Sequence, residues 1–237
     1  MDEYRAEDII LTKFFAAYFE DIDSLAFADL HLGFESAMAE KGLFLPKFQF
    51  KYIKEMVERS IEKYDPRRII IVGDLKHQFS RNMPQEWGEV KEILQMISDR
   101  NPVIIRGNHD NYLRTILNKL GIKLHEVYRI GRYTFAHGHR ALDVKGFLVM
   151  GHEHPAIGLR DPVGGIAKFP CFVLGKNFLI LPAMSVYSLG TDLIAQDELL
   201  TPLLDMEDLM DSEIIAITEK EGLIPLGTLR ILREKFY

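Results

Sequence analysis

Residues 69–77 read I-I-I-V-G-D-L-K-H. Four consecutive β-branched residues, Ile69, Ile70, Ile71 and Val72, suit a strand covered on both faces, because alternate side chains then each meet an apolar layer. The run stops at Gly73 and leaves Asp74 at the C-terminal rim of a sheet, where functional carboxylates often gather. Gly-Asp after a strand is also ordinary turn chemistry, so Asp74 alone decides nothing. Its company does. Residues 102–106, P-V-I-I-R, repeat the pattern as an apolar strand opening onto G-N-H-D at 107–110. Earlier, residues 25–28 form a short apolar strand followed by D-L-H, and an extended backbone there puts Asp29 and His31 on one face.

Segments of helical period separate these strands. Residues 46–64 carry Phe50, Ile53, Met56, Val57 and Ile61 at helical intervals and close at Asp65-Pro66. Residues 87–97 turn Val90, Ile93, Leu94 and Ile97 inward after a polar loop at 78–85, and a third helix follows at 112–120. Strand and helix in alternation predict a largely parallel sheet with right-handed crossovers. Residues 1–20 read as an edge strand or a short helix. From Gly121 the texture changes: apolar segments at 123–130, 133–136, 146–150, 169–174 and 178–181 alternate with turns such as G-R-Y, L-G-K-N and D-P-V-G-G. That is the pattern of hairpins in a mixed or antiparallel sheet. Residues 203–237 add two more strands around a glycine turn. Without a linker rich in Pro, Gly and Ser or an internal repeat, residues 1–237 are expected to form one domain, with no separate basic module after Thr201.

Composition narrows the function classes. In 237 residues, 47% apolar, a large core can be buried. Lys and Arg number 29 against 35 Asp and Glu, a net charge of -6 that is a poor background for holding nucleic acid by backbone electrostatics alone. Nucleic acid stays open as a partner but is not indicated by net charge, and a polyanion would need a locally positive site. The single cysteine, Cys171, lies in an apolar segment and is expected to be buried and inert, as in a reducing compartment. The acidic start M-D-E-Y-R-A-E-D and the absence of any long apolar run predict a cytoplasmic protein with no membrane partner.

Seven of the eight histidines, His31, His77, His109, His137, His139, His152 and His154, fall just after apolar strands or in loops leaving them; His125 falls elsewhere. A core histidine would sit inside an apolar run, so this placement points to metal ligation. Two aspartates, an asparagine and several imidazoles are too many ligands for one site holding four or five. Divided between two cations with Asp74 shared, they fit a pair about 3.5 to 4 Å apart. Two divalent ions then outweigh the charges of Asp29 and Asp74, leaving a site that draws in phosphate despite the acidic whole.

The ordered set D-L-H at 29–31, G-D-L-K-H at 73–77, G-N-H-D at 107–110, H-G-H at 137–139 and G-H-E-H at 151–154 closely resembles the calcineurin-like metallophosphoesterase superfamily. Five blocks in order make a specific signal where any single one is weak. The resemblance implies an α/β (mixed α+β) fold, a four-layer αββα sandwich of two mixed sheets flanked by helices. It assigns Asp29, His31 and His154 to one metal, Asn108, His137 and His152 to the other, and Asp74 to both. It places His109 beside the phosphate without ligating metal, with Asp110 orienting it. Lys76, His77, Arg106 and His139 remain candidates for touching the phosphate or supporting a ligand. The G-D-L-K-H block further resembles a small-phosphoesterase subgroup of archaea related to bacterial phosphoesterases associated with DNA ligase.

The implied activity is hydrolysis of a phosphate ester by a hydroxide bridging two divalent metals, with His109 protonating the leaving group. Carboxylate, amide and imidazole donors without thiolate suit Mn, Fe, Zn or Ni, with Mn as the default. The lack of a large cap insertion favours a phosphodiesterase over a phosphomonoesterase or nucleotide phosphatase. A catalytically inactive protein-binding scaffold is disfavoured by the pairing of Asn108 with His109, since binding alone requires no proton donor. Oligomeric state is left open, a homodimer included.

Overall fold

A computed structural model describes residues 1–78, 84–160, 165–188 and 190–236. Its first sheet has seven strands in sequence order: β1 (Glu3–Ala6), β2 (Ile9–Thr12), β3 (Ala17–Phe19), β4 (Ser24–Phe27), β5 (Arg68–Val72), β6 (Val103–Ile105) and β7 (Leu124–His125). β1 to β4 pair antiparallel and β4 to β7 parallel. Each parallel step needs a crossover. Helices α1 (Phe34–Glu40) and α2 (Gln49–Tyr64) supply the first, α3 (Pro84–Met96) the second and α4 (Leu113–Lys119) the third.

The second sheet has nine strands: β8 (Val127–Ile130), β9 (Tyr133–Ala136), β10 (Phe147–Met150), β11 (Pro155–Arg160), β12 (Ile166–Leu174), β13 (Phe178–Ile180), β14 (Thr191–Asp192), β15 (Glu213–Thr218) and β16 (Gly222–Thr228). It is mixed, with β10 parallel to both β9 and β13, while β12 runs antiparallel to β11, β13 and β15. Helices α5 (Met206–Met210) and α6 (Leu229–Phe236) lie on this half.

Strand alternation sorts the core into three layers. Leu25, Phe27, Ile69, Ile71 and Ile104 face Ile53, Val57, Val90 and Leu94 of the helices. Their neighbours Ala26, Ile70, Val72, Val103 and Ile105 face the other way, onto Phe135, Val149, Phe172 and Leu179 of the second sheet. The second sheet's outer positions, among them Leu148, Cys171, Val173 and Ile214, pack under Leu209, Leu229 and Leu232 of α5 and α6. Helix, sheet, sheet, helix is therefore the order of layers, and both faces of β5 are covered, as its apolar run requires. The thiol of Cys171 is fully buried, which pushes its pKa far up.

Several sequence expectations change. Residues 1–20 form three strands, not one strand or a helix; their turns are made by Glu7 (φ 50°) and Phe15 (φ 63°), which carry no Gly or Pro signal. The segment 123–130 divides at Glu126, with β7 closing the first sheet and β8 opening the second. The run 203–237, read as two strands around a glycine turn, also holds helices α5 and α6, the second beginning at Leu229. β11 and β14 are additional strands, and β12 starts at Ile166. Of the polar loop at 78–85, residues 84 and 85 begin α3 and residues 79–83 lie outside the described residues, as do 161–164 of the D-P-V-G-G turn. Among the described residues no helix is long and apolar enough to cross a membrane.

Candidate metal centre

The C-terminal ends of β4, β5 and β6 in one sheet meet those of β9 and β10 in the other, and five loops leave from there. Asp29 and His31 follow β4, Asp74 follows β5, Asn108 and His109 follow β6, His137 follows β9, and His152 and His154 follow β10. Backbone pairing fixes the first two loops to each other: the N–H of Asp29 donates to Gly73 O, that of His31 to Asp74 O, that of Leu32 to Leu75 O, and that of His77 to Leu32 O.

Three sets of side chains converge closely enough to share a cation: Asp29, His31 and His154; Asp29, Asp74 and His137; and His31, His77 and His109. His31 Nε2 and His154 Nε2 lie 3.3 Å apart, with Asp29 Oδ1 3.5 Å from His154 Nε2. His137 Nε2 donates to Asp29 Oδ1 at 2.9 Å. Asp29 belongs to two of these sets, and Asp74 Oδ2, from the second of them, lies 3.8 Å from His31 Nε2 and 3.7 Å from His137 Nε2. The His152 ring lies 4.9 Å from that of His137, and its backbone N–H donates to Asp29 Oδ2. Asn108, on the loop after β6, has its Oδ1 sealed from solvent and, among the described residues, without a hydrogen-bond partner. A buried amide oxygen left unpaired is costly and suits a cation ligand. Donor set and orphaned oxygen together fit a pair of divalent metals.

Electrostatics agree. Burial pushes the Asp74 carboxyl up to about 7, against the pull of His137, with Asp110 and Asp29 adding to the rise. Burial also acts to raise Asp29, but the charges and hydrogen bonds of His154 and His137 hold it well below the usual carboxylate range. His31 is pushed well down by burial and by His154, and His152 down to about 4 by burial and His137. For His154 and His137 burial works downward, yet Asp29 more than compensates and both are raised. Protons thus stand where a cation would, shared among carboxylates and imidazoles too close together to be at ease without positive charge between them.

Asp29 and His31 do not converge by strand alternation, as the D-x-H spacing suggested. Both adopt left-handed backbone, φ 52° and 46°, as do Asp74 (42°), His152 (67°) and His154 (46°). For residues with a Cβ this conformation is strained, and here the paired loops impose it. Close approach also explains two glycines. A Cβ on Gly107 would stand 1.9 Å from Asp74 Oδ1, and one on Gly73, at φ 83°, would stand 2.2 Å from the His137 ring.

His109 N–H donates to Asp74 Oδ1 at 2.8 Å, and its Nδ1 lies 2.6 Å from the carbonyl oxygen of His77. A carbonyl only accepts, so Nδ1 carries a proton and Nε2 is the ring's working nitrogen. The His77 ring stacks on that of His109 at 5.2 Å. Asp110, expected to orient His109, accepts instead from the backbone N–H groups of Gly107 (2.8 Å) and Lys76 (3.2 Å), joining two ligand loops. Lys76 is not placed to touch a phosphate: its side chain is fully buried, donating to Gln78 O with Glu86 3.8 Å away. Arg106 is engaged by Glu126 and Asn111. His139 stands behind His137, with the two Nδ1 atoms 3.0 Å apart.

Four supporting residues carry no sequence signal of that role. Glu153, between the two histidines of G-H-E-H, turns into the interior and accepts from the N–H groups of Leu200 and Thr201. Thr201 in turn donates to Gly138 O. Gln49 at the start of α2 donates to His31 O and accepts from Ser185 Oγ. Ser188 Oγ lies 2.8 Å from His154 Nδ1, fixing that ring from behind as imidazole ligands require.

A family profile described as calcineurin-like phosphoesterase matches residues 24–163, the span that holds all five motif blocks. No curated protein is similar enough in sequence to count as a match. Among solved structures, the chain is similar in fold to the Pseudomonas putida nuclease MPE, at 21% identity and a TM-score of 0.70, over 94% of this chain and 98% of that one.

Proposed function

This chain belongs to the calcineurin-like phosphoesterase family, whose members are metal-dependent hydrolases, and we propose that it hydrolyses a phosphodiester at the rim where its two sheets meet. One observation carries the reading: carboxylates and imidazoles from both sheets converge in adjoining sets, with Asp74 Oδ2 nearly equidistant from a nitrogen of each. Asp29, His31 and His154 would hold one divalent cation, Asn108, His137 and His152 a second, and Asp74 both. Bound there, the pair supplies Lewis acidity that acidifies water and offsets charge on the phosphate. Mn is proposed for activity, from donors that are oxygen and imidazole without thiolate.

His109 acts on the leaving oxygen. With Nδ1 tied to His77 O, the proton it transfers is the one on Nε2, and the imidazolium form is the donor. His77 and Asp74 hold the ring and backbone of His109, so it is oriented by a neighbour's carbonyl and by a ligand. A diester is preferred to a monoester because no large cap insertion is present among the described residues, and the fold relative from Pseudomonas putida is described as a nuclease. The G-D-L-K-H block supports the narrower kinship with small archaeal phosphoesterases.

The test is hydrolysis of bis-p-nitrophenyl phosphate by chelated and re-metallated protein, with metal counted by atomic emission. Expected are two metals per chain and turnover restored by Mn. Hydrolysis of p-nitrophenyl phosphate alone would reverse the choice of diester, and turnover of neither ester with any divalent metal would remove the enzymatic reading.

A further inference from the structure

Lys76 and Glu86 are both sealed from solvent, and Lys76 Nζ lies 3.8 Å from Glu86 Oε2. A buried ion pair adds little to stability over apolar residues of the same volume, so its use lies in what the two charges hold. Glu86, in the first turn of α3, accepts the backbone N–H of Gln78 on Oε1 at 2.7 Å. That N–H belongs to the peptide group whose carbonyl, His77 O, accepts from His109 Nδ1 at 2.6 Å. The N–H and C=O of a trans peptide point opposite ways in one rigid plane, so a carboxylate gripping the first aims the second. The rest of the segment is held as firmly. Lys76 N–H donates to Asp110 Oδ1, His77 N–H to Leu32 O, and Lys76 Nζ to Gln78 O.

We infer that Glu86 is the positioning carboxylate of His109, acting through the peptide between His77 and Gln78, with Lys76 as its counter-charge. Asp110, the carboxylate adjacent in sequence, is committed to the N–H groups of Gly107 and Lys76. A carboxylate on its N–H polarises the peptide and makes the carbonyl a stronger acceptor. The Nδ1 proton of His109 therefore stays in place whether or not Nε2 carries one, and Nε2 is left to face the leaving oxygen. The inference rests on the reading of His109 as the group that acts on that oxygen, and it names the residue that keeps the ring in the working tautomer.

Two double variants differ only in what they offer the Gln78 N–H. Lys76→Met with Glu86→Gln keeps an oxygen there, Lys76→Met with Glu86→Leu removes it, and neither leaves a buried charge. In chelated protein carrying isotopically labelled histidine, NMR reads the His109 ring, assigned by its loss in His109→Ala. The parent and the Gln variant should show the Nδ1–H tautomer, and in the Leu variant the Nε2–H tautomer should appear. With Mn, the Leu variant should bind both metals yet lose turnover about 10- to 100-fold on methyl phenyl phosphate, the scale of a small misplacement. Its loss should be far smaller on methyl p-nitrophenyl phosphate, whose leaving group needs little protonation, and the Gln variant should recover most of the activity. In a His109→Ala background the Leu change should cost nothing further, because residues acting through one group are not additive. An unshifted tautomer, an equal loss on the two esters, or the full loss repeated without His109 would overturn the assignment. Should the Leu variant not fold, Glu86→Asp keeps the charge, withdraws the oxygen by one methylene and is read the same way. A parent that turned over neither ester would instead count against the phosphodiesterase reading, and the tautomer in chelated protein would still decide the role of Glu86.

Discussion

At the scale of single residues, His109 and Asp74 share a hydrogen bond but should fail differently when replaced. His109→Ala should keep both metals and lower turnover by about 10²- to 10⁴-fold, the usual contribution of a positioned acid. The loss should shrink for esters whose leaving group is a good phenolate and needs no proton. An equal loss across leaving groups, or loss of metal, would make His109 a ligand or an electrostatic contact. Asp74 is tested without substrate. Its carboxyl is raised from 3.8 to about 7, chiefly by burial, so in chelated protein the folded state holds a proton that the unfolded chain has released. The sign follows: stability lent by the protonated form is present at low pH and is lost as pH rises from about 4 to about 7. Chelated Asp74→Asn avoids this loss, so its melting temperature should gain on the parent across that window and run level above it. Addition of Mn should then raise the parent and scarcely move the variant, and a gap independent of pH would defeat the assignment.

At the scale of elements, legibility follows how local the cause is. β5 and β6 are visible in the sequence because a run of three or four β-branched residues just before a glycine needs no partner to be recognised, and α2 because Ile53, Met56 and Val57 repeat at helical spacing. The five motif blocks are short and local, so every candidate ligand stands in sequence next to a readable strand end. The three N-terminal strands are hidden because their turns use Glu7 and Phe15 at positive φ, a conformation imposed by tertiary pairing. The split at Glu126 is hidden because an apolar run does not say which sheet it joins. The support given by Glu153, Gln49 and Ser188 spans long sequence separations and has no period or spacing to betray it. Loop geometry yields its own prediction. Gly107→Ala would drive a Cβ against the Asp74 carboxylate, so the variant should fold, with unchanged far-ultraviolet circular dichroism, yet bind metal at least about 10-fold more weakly, as when ligand orientation is disturbed. Normal metal titration of this variant would mean that the loop relaxes and that the contact is not what demands glycine.

At the scale of the whole molecule, the candidate ligands are divided between the sheets: Asp29, His31, Asp74 and Asn108 on the first, His137, His152 and His154 on the second. The sheets already share an apolar interface, and an isolated bridge joins Ala28 to Ala183 at this rim. Cations held from both sides would therefore act as a cross-link at the one place where the strands end and packing gives way to charged loops. Ligand binding to the folded state alone adds RT ln(1 + [L]/Kd), about 4 kcal/mol at a thousandfold excess over Kd. For a chain of this size that is roughly 10 °C in melting temperature, rising with the logarithm of metal concentration. The cross-link makes a sharper claim than stabilisation by itself: removing a ligand from either sheet should abolish most of the gain. His137→Ala, from the second sheet, and Asp29→Ala, from the first, should each melt nearly independently of Mn, while Cys171→Ala, in the outer core, should lose stability and keep the full metal response. If His137→Ala retained the parent's response, the metals would be held by the first sheet alone, and the two sheets would be joined by their apolar interface without help from the site.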